Sequence, residues 1–177
     1  MTATVAGTAL KPRTIDAAGI QTSYLEAGAG DPIVMLHGSG PGVSGMANWR
    51  HNIGALSRRF RVLAPDIVGF GATKRPDDIV YSLRTWTDHV WAFLDGHDIE
   101  KTAIVGNSLG GRIALQMATD RPDRITKMVL MGAPGVGMTL TEGLAALRAY
   151  QPSHDAMRDL LRNYFAVDPA MITDDLV

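Results

Sequence analysis

Thr102-Ala-Ile-Val-Gly-Asn-Ser108-Leu-Gly-Gly111 is the stretch that decides how this chain folds. Thr102–Val105 is a short apolar run of the kind that forms a strand buried on both faces of a sheet. Gly106-Asn107-Ser108-Leu109-Gly110 then fits G-x-S-x-G, and helical spacing starts near Leu109, with Ile113, Ala114, Met117 and Ala118 on one face and Pro122 as the stop. A strand that turns abruptly into a helix holds the central residue in a strained conformation, so its flanks must be nearly free of side chain. The two glycines meet that need. Such a turn lifts Ser108 Oγ clear of the sheet and leaves the Leu109 N–H at a helix N-terminus, where it can bond a developing oxyanion. Ser108 is the candidate nucleophile and Leu109 a candidate oxyanion donor. The competing reading is a plain glycine-rich helix start.

Outward from this turn the same texture repeats. Pro32–His37, Arg61–Pro65 and Thr126–Met131 are further apolar runs, and Arg13–Ala17 with Ile20–Glu26 reads as a hairpin turning at Ala18-Gly19, after a loose N-terminus. Between the runs lie helical stripes: Leu83, Trp86, Val90, Phe93 and Leu94 mark one helix, and Trp49, Ile53 and Leu56 mark another. Strand, helix, strand in alternation predicts an α/β class with parallel strands and right-handed crossovers. Beyond Met131 the chain passes through Gly132-Ala-Pro-Gly-Val136 into helix-like segments without another strand of comparable quality.

The 19 glycines of the 177 residues are uneven, and six of them fall from Gly28 to Gly45. His37-Gly38-Ser39-Gly40-Pro41-Gly42-Val43-Ser44-Gly45 follows the strand Ile33–Leu36 and offers exposed backbone N–H groups beside the Ser108 turn. Ser39 or Gly40 can supply the second oxyanion donor there. Gly40-x-Gly42-x-x-Gly45 with Asp66 about 20 residues on also matches a dinucleotide-binding unit. The turn from His37 to Gly42 is wider than a pyrophosphate turn, however, and that reading leaves Ser108 unexplained.

Composition excludes several other classes. There is no cysteine, so thiolate zinc sites, iron–sulfur clusters and redox pairs are absent and a reducing, cytoplasmic setting is expected. Seventeen basic and eighteen acidic residues leave a net charge of −1 with no basic cluster to track a phosphate backbone, so nucleic acid is not expected as a partner. Apolar runs such as Ile33–Leu36 and Met128–Met131 are far too short to span a membrane, and the first ten residues carry no signal-peptide pattern.

The histidines offer no obvious base. His37 ends a buried strand and reads as a hydrogen-bonded structural residue, His51, His89 and His97 read as solvent-exposed, and His154 reads as a helix start.

Taken together, His37-Gly-Ser-Gly-Pro-Gly42, Ala47-Asn-Trp-Arg50, Asp66-Ile-Val-Gly-Phe-Gly71, Gly106-Asn-Ser-Leu-Gly-Gly111 and Thr141-Glu-Gly143 resemble the α/β-hydrolase family, and within it the meta-cleavage product hydrolases. The resemblance implies a mostly parallel sheet flanked by helices, with residues 1–135 as the N-terminal part of the core and 136–177 as the start of a helical lid. It implies a serine-dependent cleavage of a carbon–carbon bond in 2-hydroxy-6-oxohexa-2,4-dienoates, small-molecule ring-fission products of aromatic degradation, without any cofactor or metal. Ser108 would be the nucleophile and Ser39 and Leu109 the oxyanion donors, while Asn48 and Asn107, with Gly38 and Gly40, would hold the substrate. Amides suit that task because they donate to carboxylate and enol oxygens without adding a titrating charge. The family's acid and histidine follow two further strands, and no confident counterpart of its lid arginine is found in Arg148, Arg158 or Arg162. The chain alone is therefore expected to be nearly inactive, and its outer strand Thr126–Met131 to expose an apolar edge that favours a homo-oligomer. A carboxylesterase on the same scaffold, or a non-catalytic ligand-binding relative, is the alternative.

Overall fold

Residues of the run Ile33–Leu36 alternate between two apolar layers, which is why the whole run is apolar: Val34 and Leu36 pack on one side of the sheet, Ile33 and Met35 on the other. The computed structural model describes residues 4–5, 8–135 and 139–177. A small antiparallel pair, β1 (Thr4–Val5) with β2 (Thr8–Ala9), occupies the N-terminus that was expected to be loose. β3 (Arg13–Ala17) and β4 (Ile20–Ala27) form the expected hairpin, with φ of 53° at Ala18 and 86° at Gly19 in its two-residue turn. β5 (Pro32–Leu36), β6 (Arg61–Pro65), β7 (Thr102–Asn107) and β8 (Ile125–Met131) complete a six-stranded sheet of order β3-β4-β6-β5-β7-β8, parallel from β6 to β8.

The helix expected around Trp49 and Leu56 is two short ones, α1 (Gly45–Trp49) and α2 (Ile53–Leu56). Trp49 and Ile53 are both fully buried against the same layer, so one apolar stripe runs unbroken across the interruption. The opposite face is covered by α3 (Leu83–Gly96), capped by the Ser82 hydroxyl accepting from Thr85 N–H, and by α4 (Leu109–Asp120). After β8 come α5 (Glu142–Ala149) and α6 (His154–Leu160). The chain divides into two compact units, Met1–Gly135 and Val136–Val177.

His89 departs from expectation. It is 3% exposed on α3; its Nδ1 accepts from Val68 N–H at 3.3 Å, so Nε2 carries the proton and donates to Thr22 Oγ1 at 2.8 Å, and that hydroxyl donates to the Ile20 carbonyl. His97 is also half-buried, its Nδ1 accepting from Arg61, whereas His51 is exposed as expected. Burial lowers His89 from its ordinary 6.5 to about 4. The unfolded chain thus takes up a proton near pH 6.5 that the folded chain refuses until about 4. Stability should fall as pH drops through that window, by up to about 3 kcal/mol from this residue. Urea midpoints measured between pH 7 and 4 should show the slope, and His89→Gln should flatten it.

β8 lies at the sheet's outer edge, with Val129 54% and Met131 46% exposed. On the α1 side an open groove of about 510 Å³ runs over β7 and β8, lined by Phe60, Ala103, Val105, Lys127 and Val129 among others.

Candidate active site

β7 ends in the turn that the sequence marked. Ser108 has φ 49° and ψ −112°, a conformation side-chain-bearing residues rarely adopt, and it is held by its N–H donating to the Met131 carbonyl at 2.8 Å while its own carbonyl accepts from Arg112 N–H at 3.1 Å. The crossing of strand and helix is tight: a Cβ at Gly106 would lie 2.6 Å from the Gly110 carbonyl oxygen. Leu109 N–H opens α4 and has no intrahelical acceptor at that position.

The loop after β5 lies against this turn. A Cβ at Gly38 would come within 3.3 Å of both Ser108 Cβ and Asn107 Nδ2, so the Gly38 backbone touches the elbow. Ser39 follows it, exposed, and its N–H makes no hydrogen bond among the described residues. Gly38 N–H donates to Asn48 Oδ1 at 3.0 Å, and Asn107 Nδ2 donates to that same oxygen at 3.0 Å. Asn48 sits on α1, whose first turn is capped by Ser44 Oγ accepting from Ala47 N–H. The structure thus joins Gly38, Asn48 and Asn107 in one polar cluster beside Ser108. Gly40 lies further along the loop and lines a separate cleft of about 730 Å³, between Pro41–Met46 and Gly69–Arg75, that Ser108 does not reach.

His37 and Asp66, a histidine and a carboxylate near this turn in the fold, are occupied elsewhere. His37 is fully buried; Ile67 N–H donates to its Nε2 at 2.9 Å, which leaves the ring proton on Nδ1 to donate to the Gly38 carbonyl at 2.7 Å. Burial pushes its pKa down, against the opposing pull of the Gly38 carbonyl and Asp66, and the ring braces the loop as a neutral group. Asp66 accepts from Gly45 N–H at 2.7 Å and Ala72 N–H at 2.9 Å, one carboxylate oxygen each. Both of its oxygens are engaged by backbone N–H groups and α1 has only five residues, which argues against the dinucleotide reading. No histidine or carboxylate hydrogen bonds Ser108 Oγ among the described residues.

In the second unit His154 hydrogen bonds the Asp174 carbonyl, Arg158 pairs with Asp155 and Asp174, and Arg162 donates to the Ile172 carbonyl. Arg112 went unnoticed in the sequence. It lies one turn along α4 from Ser108, half-buried, and its side chain has neither an ion pair nor a hydrogen bond among the described residues. The i, i+4 spacing from Ser108 was the available signal.

Comparison with known proteins agrees with this geometry. The chain is 46% identical over 164 residues to a 2-hydroxy-6-oxo-2,4-heptadienoate hydrolase of Pseudomonas putida and 48% identical to a 2-hydroxymuconate semialdehyde hydrolase of a Pseudomonas species, covering 93% of this chain in each case. It spans only 59% and 58% of the lengths of those curated relatives. Among solved structures, a meta-cleavage product hydrolase of Pseudomonas fluorescens superposes with a TM-score of 0.87 at 49% identity, over 93% of this chain and 60% of that one. The profile described as alpha/beta hydrolase fold matches residues 31–173. With the strained serine between β7 and α4, the abutting glycine loop and this match over most of its length, the chain belongs to the α/β-hydrolase fold family.

Proposed function

We propose that this chain carries the nucleophile half of a serine hydrolase that cleaves a carbon–carbon bond in 2-hydroxy-6-oxohexa-2,4-dienoate-type compounds. The observation that carries the reading is Ser108 in its strained turn with the Gly38–Ser39 loop against it. Ser108 Oγ is the group that attacks the C6 carbonyl of the keto tautomer, and the N–H groups of Ser39 and Leu109 receive the oxyanion. Asn48 and Asn107 hold the dienoate end; Gly38 serves instead to position Asn48, and Gly40, in the separate cleft, takes no part. The proton from Ser108 Oγ passes to C5 as the C5–C6 bond breaks, which releases 2-hydroxypenta-2,4-dienoate and leaves an acyl-serine; water then breaks the acyl–oxygen bond, its hydroxyl going to the acyl carbon to release a carboxylic acid and its proton returning to Ser108. Residues 136–177 are read as the start of a helical lid.

The general base comes from outside residues 1–177, because a serine hydroxyl without one is a poor nucleophile near neutral pH. We infer a cytoplasmic setting from the absence of cysteine. The polypeptide that includes the base should bleach the yellow dienolate of 2-hydroxy-6-oxo-2,4-heptadienoate faster than it hydrolyses an aryl acetate. A preference for the ester would overturn the reading in favour of a carboxylesterase.

Residues 1–177 by themselves should associate through β8, whose exposed Val129, Leu130 and Met131 line an unpaired edge. Size-exclusion chromatography tests this, and a monodisperse monomer would contradict it.

A further inference from the structure

We propose that Arg112 is a specificity-determining residue that binds a carboxylate carried on the acyl substituent at C6, so that the preferred substrate is a dienoate anionic at both ends. The proposal rests on the reading of Ser108 as nucleophile, and three observations support it.

Position is the first. The sheet-facing side of α4 at this level is taken by Gly110 and Gly111, where a Cβ would press on Leu36 and Ala133. Arg112 comes next in the turn, on the side away from the sheet, and its N–H bonds the Ser108 carbonyl. Side chains on a helix lean toward its N-terminus, so a long one at this place reaches back past the Leu109 N–H toward Ser108.

Charge is the second. Arg13, Arg61, Arg84, Arg124 and Arg158 are in salt bridges, and Arg50 and Arg162 donate to carbonyls. Arg58, Arg59, Arg75 and Arg148 are exposed to water. Among the described residues Arg112 is the half-buried arginine left with no ion pair, hydrogen bond or aromatic partner. A guanidinium partly withdrawn from water favours a carboxylate, which it can bind through two parallel N–H donors.

Topology is the third. Asn107 alternates along β7 with Ile104, which packs toward α3 and α4, and shares the opposite face with Ala103 and Val105. The Asn48–Asn107 pair therefore lies on the α1 side of Ser108, and Arg112 on the α4 side. With the dienoate end at the amides and C6 at Ser108, the C6 substituent points along α4. Cleavage of such a substrate releases a dicarboxylate as the acid product and 2-hydroxypenta-2,4-dienoate as the other.

The test compares two dienoates, one with a methyl group and one with a carboxyethyl group at C6, using the catalytically complete polypeptide and its Arg112→Met and Arg112→Lys variants. Arg112→Met should lower kcat/KM for the carboxyethyl substrate about 10- to 100-fold and change the methyl substrate by less than about 2-fold. Arg112→Lys should restore part of the loss. Equal losses on both substrates, or no loss, would overturn the proposal. Calorimetric binding of succinate and of butyrate, which needs no turnover, separates the two readings. Succinate binding that exceeds butyrate binding and disappears in Arg112→Met, with neither dienoate consumed, retains the anion site and rejects the proposed reaction. Turnover of both dienoates with no Arg112-dependent preference rejects the anion site alone.

Discussion

Replacing Ser108 with alanine should lower the turnover of a ring-fission dienoate by about 10³- to 10⁶-fold, the range seen when a serine nucleophile is removed from a working triad. The variant should leave KM nearly unchanged, because one oxygen is lost while Gly38, Ser39, Leu109 and the two asparagines stay in place. Alanine bears the backbone strain at φ 49° no worse than serine, so thermal stability should be close to that of the parent. The decay of dienolate absorbance under saturating substrate measures the effect. A variant that kept its rate would remove Ser108 from the chemistry and with it the reading of the whole turn.

The second large effect is on folding. Gly110→Ala should destabilise the chain by about 4 kcal/mol or more, enough to remove much of the stability of an ordinary domain. Its new Cβ would sit 2.2 Å from the Leu36 carbonyl oxygen and 2.7 Å from the His37 carbonyl oxygen. Those are backbone atoms of the central strand β5 and its exit, so neither can rotate out of the way, and α4 would have to lift off the sheet. Urea denaturation followed by tryptophan fluorescence reads this directly. Gly135→Ala is the control: a Cβ there meets nothing within 4 Å, and its midpoint should match the parent's. A Gly110→Ala protein as stable as the control would mean that α4 packs on β5 less closely than described.

The strands were readable from the chain because each central one must be apolar toward two layers at once, which few other structures require. Ser108 was readable because a sharp strand-to-helix turn demands glycine at set offsets. The break between α1 and α2 was hidden for the opposite reason: Trp49 and Ile53 bury the same side, and periodicity reports the side, not the continuity. His89 was misjudged as exposed although it stands three residues after Trp86 and four before Phe93, on the buried stripe of α3. The hydroxyl that makes its burial tolerable, Thr22, lies 67 residues away in the chain. The link between Asn48 and Asn107 spans 59 residues and was equally beyond local pattern. Local chemistry thus revealed the strained turn at Ser108, whereas the polar groups that surround it depend on contacts only the folded chain brings together.

A single atom, Asn48 Oδ1, receives donors from the loop after β5 and from the end of β7 while belonging to α1. The Gly38–Ser39 loop, the Ser108 turn and α1 are in this way fastened at one pivot. A displacement of any of them strains the other two, so their relative positions are set before substrate arrives and the reacting groups have little rearrangement left to make. The same fastening fixes polarity. With its oxygen occupied by two protein donors, Asn48 has only N–H groups to offer a ligand.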